Sequence, residues 1–209
     1  SGVEALIDDG HLRAEETVAI LGKTEGNGCV NDFTRGYAVD TLKQRLSVRL
    51  DCSPAAVEDR IALVMSGGTE GGLSPHFLVI AIRHHDRCEP PRGKRLAVGT
   101  AVTPDLPPEA IGRREHIERT REAVQNAMRD AAISDPEDVH LVQIKCPLLT
   151  KTRMAEAQRR GSDCVCDDTY ASMGYSRGAA ALGVALALEE LPDTASAEAA
   201  LGSDWSRYA

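Results

Sequence analysis

Aromatic residues are nearly missing from this chain: they make up 3% of 209 residues, with two Phe, one Trp and four Tyr. A core built from it has to be aliphatic and rich in alanine. Long apolar runs are missing as well, and none approaches the roughly 20 residues of a membrane-spanning helix. No basic segment runs into an apolar one at the start, so no secretory leader is expected and a cytoplasmic location is. Positive charge is in deficit: 24 Lys and Arg against 32 Asp and Glu leave a net charge of −8. Nucleic acids and anionic membrane surfaces select basic patches, so neither is an expected partner. Six cysteines are too few and too scattered for a disulfide-stapled secreted domain, which points to free thiols in a reducing compartment. Cys164-Val-Cys166 has no second pair at zinc-type spacing, so no metal and no cofactor is expected.

What is there is globular: 42% hydrophobic and 27% charged, enough for one or two cored domains. The stretch Ile61-Ala-Leu-Val-Met-Ser-Gly-Gly-Thr-Glu-Gly-Gly-Leu-Ser-Pro-His76 stands out. An apolar strand pattern ends abruptly at Ser66 and two Gly-Gly pairs flanking Thr69 and Glu70. Glycines let backbone N–H groups approach a ligand oxygen, and the strand end delivers a hydroxyl beside them. Ser-Gly-Gly is also an ordinary loop opening. A dinucleotide site is a poor match, because SGGTEGG lacks the G-x-G-x-x-G spacing and a following helix.

Around this stretch, the pattern predicts a short helix over Val3–Leu12, a strand at Val18–Leu21 and a helix from Thr34 or Arg35 to Leu50 with Ala38, Leu42 and Leu46 on one face. Ser53-Pro54 opens another short helical turn. Phe77–Ile82 is apolar enough to be a central strand. His84–Gly93, charged and proline-bearing, reads as a linker between a first unit, 1–86, and a second, 94–209. Beyond it the expectations are strands at Leu96–Val102 and Val139–Lys145, a helix over Arg114–Ile133, polar irregular chain over 150–172 that turns helical around Lys151–Arg160, and a helix over Arg177–Leu188. The last twenty residues show no obvious element. His76, His84 and His85 are assigned structural or solvated roles.

The two halves share anchors. A strand ends in Lys23 and Phe33-Thr-Arg-Gly-Tyr-Ala38 opens a helix; later a strand ends in Lys145 and Gly174-Tyr-Ser-Arg-Gly-Ala179 opens another. The spacing is longer in the second copy. This suggests two related α/β units, the second cut short of its serine strand.

Taken together, LGKTEGNGCVNDFTRGYA, VMSGGTEGGLSPH, VQIKCPLLT and SMGYSRGAAALGVALAL resemble the ring-opening amidohydrolases, the family of cyanuric acid hydrolase and barbiturase. The resemblance implies an α/β fold of three similar sheet-plus-helix units about a pseudo-threefold axis, with two of the three in this chain and the second incomplete. Each unit would offer a lysine, an arginine and a serine to a site on the axis. Carried over, the first set is Lys23, Arg35 and Ser66 with Gly67, and the second is Lys145 and Arg177. Lys145 takes the place of the general base. The serine that would attack is not in these 209 residues, nor is the third unit or the strand expected ahead of Ser1, so the chain by itself is not expected to be catalytically competent.

The implied substrate is a small cyclic imide or triazinetrione, cyanuric acid opening to carboxybiuret or barbituric acid to ureidomalonate. The implied assembly is a homo-oligomer, a tetramer among the options. A non-catalytic ligand-binding or assembly subunit is the competing reading. Chemically, a serine needs a base, and a lysine serves once burial and neighbouring cations depress its pKa. Arg35 and Arg177, expected near helix starts where the macrodipole disfavours a cation, suggest an anionic or carbonyl-rich ligand. Against these stand plainer readings: a surface lysine for Lys145, internal ion pairs for the arginines, a turn serine for Ser66. Glu25 and Glu70 are expected to orient the cations.

Overall fold

The structure is a computed structural model that describes residues 2–68, 72, 74–83, 93–204 and 206. Glu70, His84, His85 and almost all of the expected linker lie outside the described residues. The chain forms two compact units, Ser1–Leu96 and Ala97–Ala209.

In the first unit, helix α1 (Gly2–Asp8) precedes strand β1 (Thr17–Thr24), helix α2 (Thr34–Leu50), helix α3 (Pro54–Arg60), strand β2 (Ala62–Gly67) and strand β3 (His76–Ala81). The sheet order is β2-β1-β3, with β2 parallel and β3 antiparallel to β1. Apolar residues of α2 (Val39, Leu42, Leu46) and Val57 of α3 close over Ile20, Ile61, Leu63 and Met65. Ala38, expected on that stripe, packs at its margin. The Ser53 hydroxyl accepts the Ala56 N–H at 3.2 Å with Pro54 in the first turn, a cap worth about 1 kcal/mol. Phe77–Ile82 was expected at the sheet centre; instead β3 is an edge strand, with Phe77 46% and Leu78 56% exposed. An apolar run reports affinity for a pleated surface, not a place in the strand order, and the centre here belongs to β1.

The second unit is helical where it is regular: α4 (Arg114–Asp130), α5 (Lys151–Arg159), α6 (Thr169–Ala187) and α7 (Thr194–Ala200). Small residues on α6 let it lie against α4. A side chain on Gly183 would meet Thr120 Cβ at 2.5 Å and the Ile117 carbonyl at 2.7 Å. Ile117, Ala179, Leu182 and Leu186 pack there with Leu191 and Ala197, and a second cluster gathers Leu106, Ile111, Leu149 and Met154.

Four expectations fail over residues 94–209. Leu96–Val102 and Val139–Lys145 form no strand ladder among the described residues, and Leu96 and Leu141 are 94% and 80% exposed. A strand needs a partner, which a periodic pattern by itself does not supply. Over Val142–Cys146 the alternation nonetheless persists, half-buried at Val142, Ile144 and Cys146 and exposed at Gln143 and Lys145. The helix expected to open near Arg177 starts at Thr169 instead, capped by Asp168, whose carboxylate accepts the Ala171 N–H at 2.6 Å. The end of the chain holds a further helix, α7, capped by Asp193 through the Ser196 N–H at 2.8 Å.

Candidate active site

The parallel pairing of β1 and β2 sets Lys23 opposite Ser66 at the carboxyl ends of the two strands. That is where open α/β sheets present polar groups to ligands. Lys23 and Ser66 point to the face away from α2, because Ile20, Leu63 and Met65 take the core side. Lys23 Nζ lies 3.3 Å from Ser66 Oγ and donates to the Gly67 carbonyl at 3.3 Å. Ser66 is exposed, Lys23 half-buried and Gly67 buried.

Behind this pair sits a residue that the sequence reading missed. The Asp32 side chain has no solvent exposure. Its carboxylate accepts N–H bonds from Gly28 (2.9 Å) and Thr34 (2.9 Å) and a short bond from the Thr34 hydroxyl. Burial opposes its ionisation, but these donors and the Arg35 guanidinium outweigh that and hold the carboxyl below the ordinary aspartate range. Side chains on Gly26 or Gly67 would each come within 1.9 Å of an Asp32 oxygen. Gly28, at φ +70, lies beside the Gly67 carbonyl. The Thr34 hydroxyl also accepts the Gly26 N–H at 3.1 Å and lies 2.8 Å from the Thr24 hydroxyl, which donates to the Ser66 carbonyl at 3.3 Å.

Arg35 is the second residue of α2, as the sequence implied. The anion it was expected to need is already in the chain: its Nε lies 3.8 Å from Asp32 Oδ2, and Nη2 donates to the Cys29 carbonyl at 2.6 Å. An internal ion pair is therefore present at Arg35, and its partner is Asp32 rather than the exposed Glu25. Asp-x-Thr ahead of a helix, after Gly-x-Gly, was the signal available for it.

In the second unit, Lys145 is exposed and follows a segment that is not a strand. Two buried serines of α6 pin the chain after it: Ser176 Oγ donates to the Pro147 carbonyl at 2.6 Å, and Ser172 Oγ accepts the Leu149 N–H at 3.3 Å. This brings Cys146 against Arg177. Burial raises the Cys146 thiol's pKa, with Arg177 and the Ser176 hydroxyl partly offsetting it. Cys146 and Arg177 line one trough with Val142, Ile144, Ala181 and Val184; the exposed Lys145 does not line it. Arg177 is the ninth residue of α6, not at its start, so the macrodipole argument does not apply to it; its Nε donates to the Met173 carbonyl at 3.3 Å. No group of three or more metal-ligating side chains occurs among the described residues, and none of their helices is long and apolar enough to cross a membrane.

Fold and site together define an α/β protein that sets an amine beside a hydroxyl at the ends of two parallel strands, with a buried carboxylate facing a guanidinium at the start of α2. The chain belongs to the ring-opening amidohydrolase family, whose model, described as "Amidohydrolase ring-opening protein", matches residues 1–209. It is 52% identical over 206 residues to a cyanuric acid amidohydrolase of Pseudomonas sp. (strain ADP), covering 99% of this chain and 57% of that protein. It is 54% identical over 202 residues to one from Rhizobium leguminosarum bv. trifolii (strain WSM1325), covering 95% and 54%. Among solved structures, it matches a cyanuric acid hydrolase described as an evolutionary innovation by structural concatenation, with a TM-score of 0.93 at 52% identity over 98% of this chain and 56% of that one. A second match, the A. caulinodans enzyme, has a TM-score of 0.90 at 49% identity, over 99% and 56%. The chain thus spans somewhat more than half the length of these relatives.

Proposed function

We infer that these residues belong to an enzyme that opens a cyclic imide ring by hydrolysis, with cyanuric acid as substrate. The observation that carries this is the Lys23–Ser66 contact at the ends of β1 and β2, in a chain about half identical to cyanuric acid amidohydrolases. The three-unit arrangement about a pseudo-threefold axis, with 1–86 and 94–209 as the first two units, is part of the same reading, as are a homo-oligomeric assembly and a cytoplasmic setting.

Hydrolysis needs a serine oxygen to attack a ring carbonyl while a base takes its proton; the C–N bond then breaks and the ring nitrogen receives a proton. Water releases the acyl group as a carboxylate, carboxybiuret in the case of cyanuric acid. Lys145 is assigned as the base. The attacking serine is not among these 209 residues. Ser66 is assigned to binding: with its oxygen accepting from the Lys23 ammonium, its proton is left to donate to a ring carbonyl, and the Gly67 N–H is the second donor of the clamp. Arg35 and Arg177 supply planar donors to the other carbonyl edges.

The test is turnover of cyanuric and barbituric acids by the enzyme that carries both these residues and the attacking serine, each followed by product mass, with Lys145→Ala and Ser66→Ala alongside. Cyanuric acid opening that is abolished in Lys145→Ala, with the Michaelis constant raised in Ser66→Ala, supports the assignment. Opening of barbituric acid alone replaces the substrate, and binding without turnover of either ring makes the protein a ligand-binding or assembly subunit.

A further inference from the structure

We propose that Asp32 is a positioning residue of the ring-binding site, fixing the Arg35 guanidinium and the Gly67 backbone in the orientation that meets a planar ligand. The inference rests on the ring-opening reading above for the identity of the ligand, and on the first unit's own geometry for the rest.

Three pieces of backbone meet at this carboxylate. The loop after β1 contributes Gly26 and Gly28, the start of α2 contributes Thr34 and Arg35, and the end of β2 contributes Gly67. Oδ1 sits where a Gly26 side chain would be, and Oδ2 where a Gly67 side chain would be, each 1.9 Å from the would-be carbon. Contacts this close leave little room for the β2 end to move relative to the loop. The same Oδ2 faces Arg35 Nε at 3.8 Å, and Nη2 is tied to the Cys29 carbonyl. Two nitrogens of the fork are thus committed within the chain, which leaves Nη1 as the donor to aim outward. Burying a carboxylate is costly, and here the carboxylate that those donors hold also faces Arg35 and packs against Gly67, the two groups assigned to the ligand.

A carboxylate that only stabilised the fold would change how much protein is folded, not how tightly the folded protein binds. Asp32→Asn keeps the volume but replaces one acceptor oxygen with an amide and removes the charge facing Arg35. Thr34→Val is milder, removing only the hydroxyl bond. For both variants, made in the enzyme that also carries the attacking serine, the Michaelis constant and kcat for cyanuric acid are measured together with the exchange rate of the Arg35 Nε–H by NMR. The expected result is a Michaelis constant raised about tenfold in Asp32→Asn, and less in Thr34→Val, with kcat little changed and faster exchange of the Arg35 Nε–H in both. Unchanged exchange and an unchanged Michaelis constant would overturn the proposal, however far thermal stability falls. Should Asp32→Asn not fold, Thr34→Val decides by the same readouts. Arg35 exchange that depends on Asp32 in a protein that neither binds nor opens the ring upholds the positioning role and removes the substrate reading instead.

Discussion

Acidifying the protein should weaken its second unit through one histidine. His116, on α4, is 2% exposed, and its Nδ1 accepts the Gly112 N–H at 3.2 Å. That bond requires the neutral ring with its proton on Nε2, and burial pushes the His116 pKa down from the usual 6.5 to about 4. The unfolded chain therefore binds this proton first as pH falls. The stabilisation is whole above pH 6.5, declines as pH drops toward 4, and is gone below it. A gap of this size amounts to about 3 kcal/mol in full, and to about 2 kcal/mol between about pH 7.5 and about pH 5. Urea unfolding at the two pH values reads it directly, but carboxylates contribute too, so the informative quantity is the difference from His116→Asn. The Asn side-chain oxygen can accept from Gly112 without titrating in this range. The variant should lose about 2 kcal/mol less than the unchanged protein on acidification. Equal losses, or a His116 ring that titrates near its ordinary value by NMR, would refute the reasoning.

Gly67→Ala forces a carbon against a pinned carboxylate and the Gly28 backbone, and should cost about 2 kcal/mol or more by urea denaturation. Gly22→Ala meets Met65 Sδ at 2.3 Å and the Phe77 ring at 2.7 Å; the thioether is flexible and Phe77 half exposed, so it should cost less, and the reverse order would contradict the geometry. Ser172→Ala leaves the buried Leu149 N–H without its acceptor, which predicts a loss of about 1–3 kcal/mol and faster exchange of that amide. Cys146, half-buried with a raised pKa, should react with a thiol reagent near neutral pH about tenfold more slowly than the exposed Cys29, as followed by peptide mass.

Elements whose signals are local were legible in the sequence. The α2 stripe, the Ser53-Pro54 cap and the α5 segment depend on neighbours a turn away, and the chain spells them out. The apolar strand pattern that stops at Ser66 was legible as well, and β2 runs over Ala62–Gly67. What was not legible depends on partners. The β3 run could not say whether it would be a centre or an edge. Val142–Cys146 kept its alternation while forming no ladder among the described residues. The start of α6 was not legible because its apolar run marks only Arg177 onward, while the capping residue, Asp168, lies nine positions before it. Asp32 stayed hidden among 32 acidic residues because Asp-x-Thr marks a helix start without marking the carboxylate as buried. Its glycine cradle is the mark, and that cradle draws on residues on both sides of α2.

The strand order carries a consequence for how the first unit comes into being. Within this sheet β1 is made before both of its partners: β2 pairs with one of its edges and β3 with the other, and β2 and β3 lie downstream of α2 and α3. Until residues 62–81 arrive, both rows of β1 backbone groups are open to water or to another strand. The unit therefore closes late and over long loops, the regime in which folding slows and intermolecular pairing competes. On a ribosome, α2 and α3 can coil as they emerge, but the sheet, and with it the Lys23–Ser66 contact, waits for residues from β2 and β3.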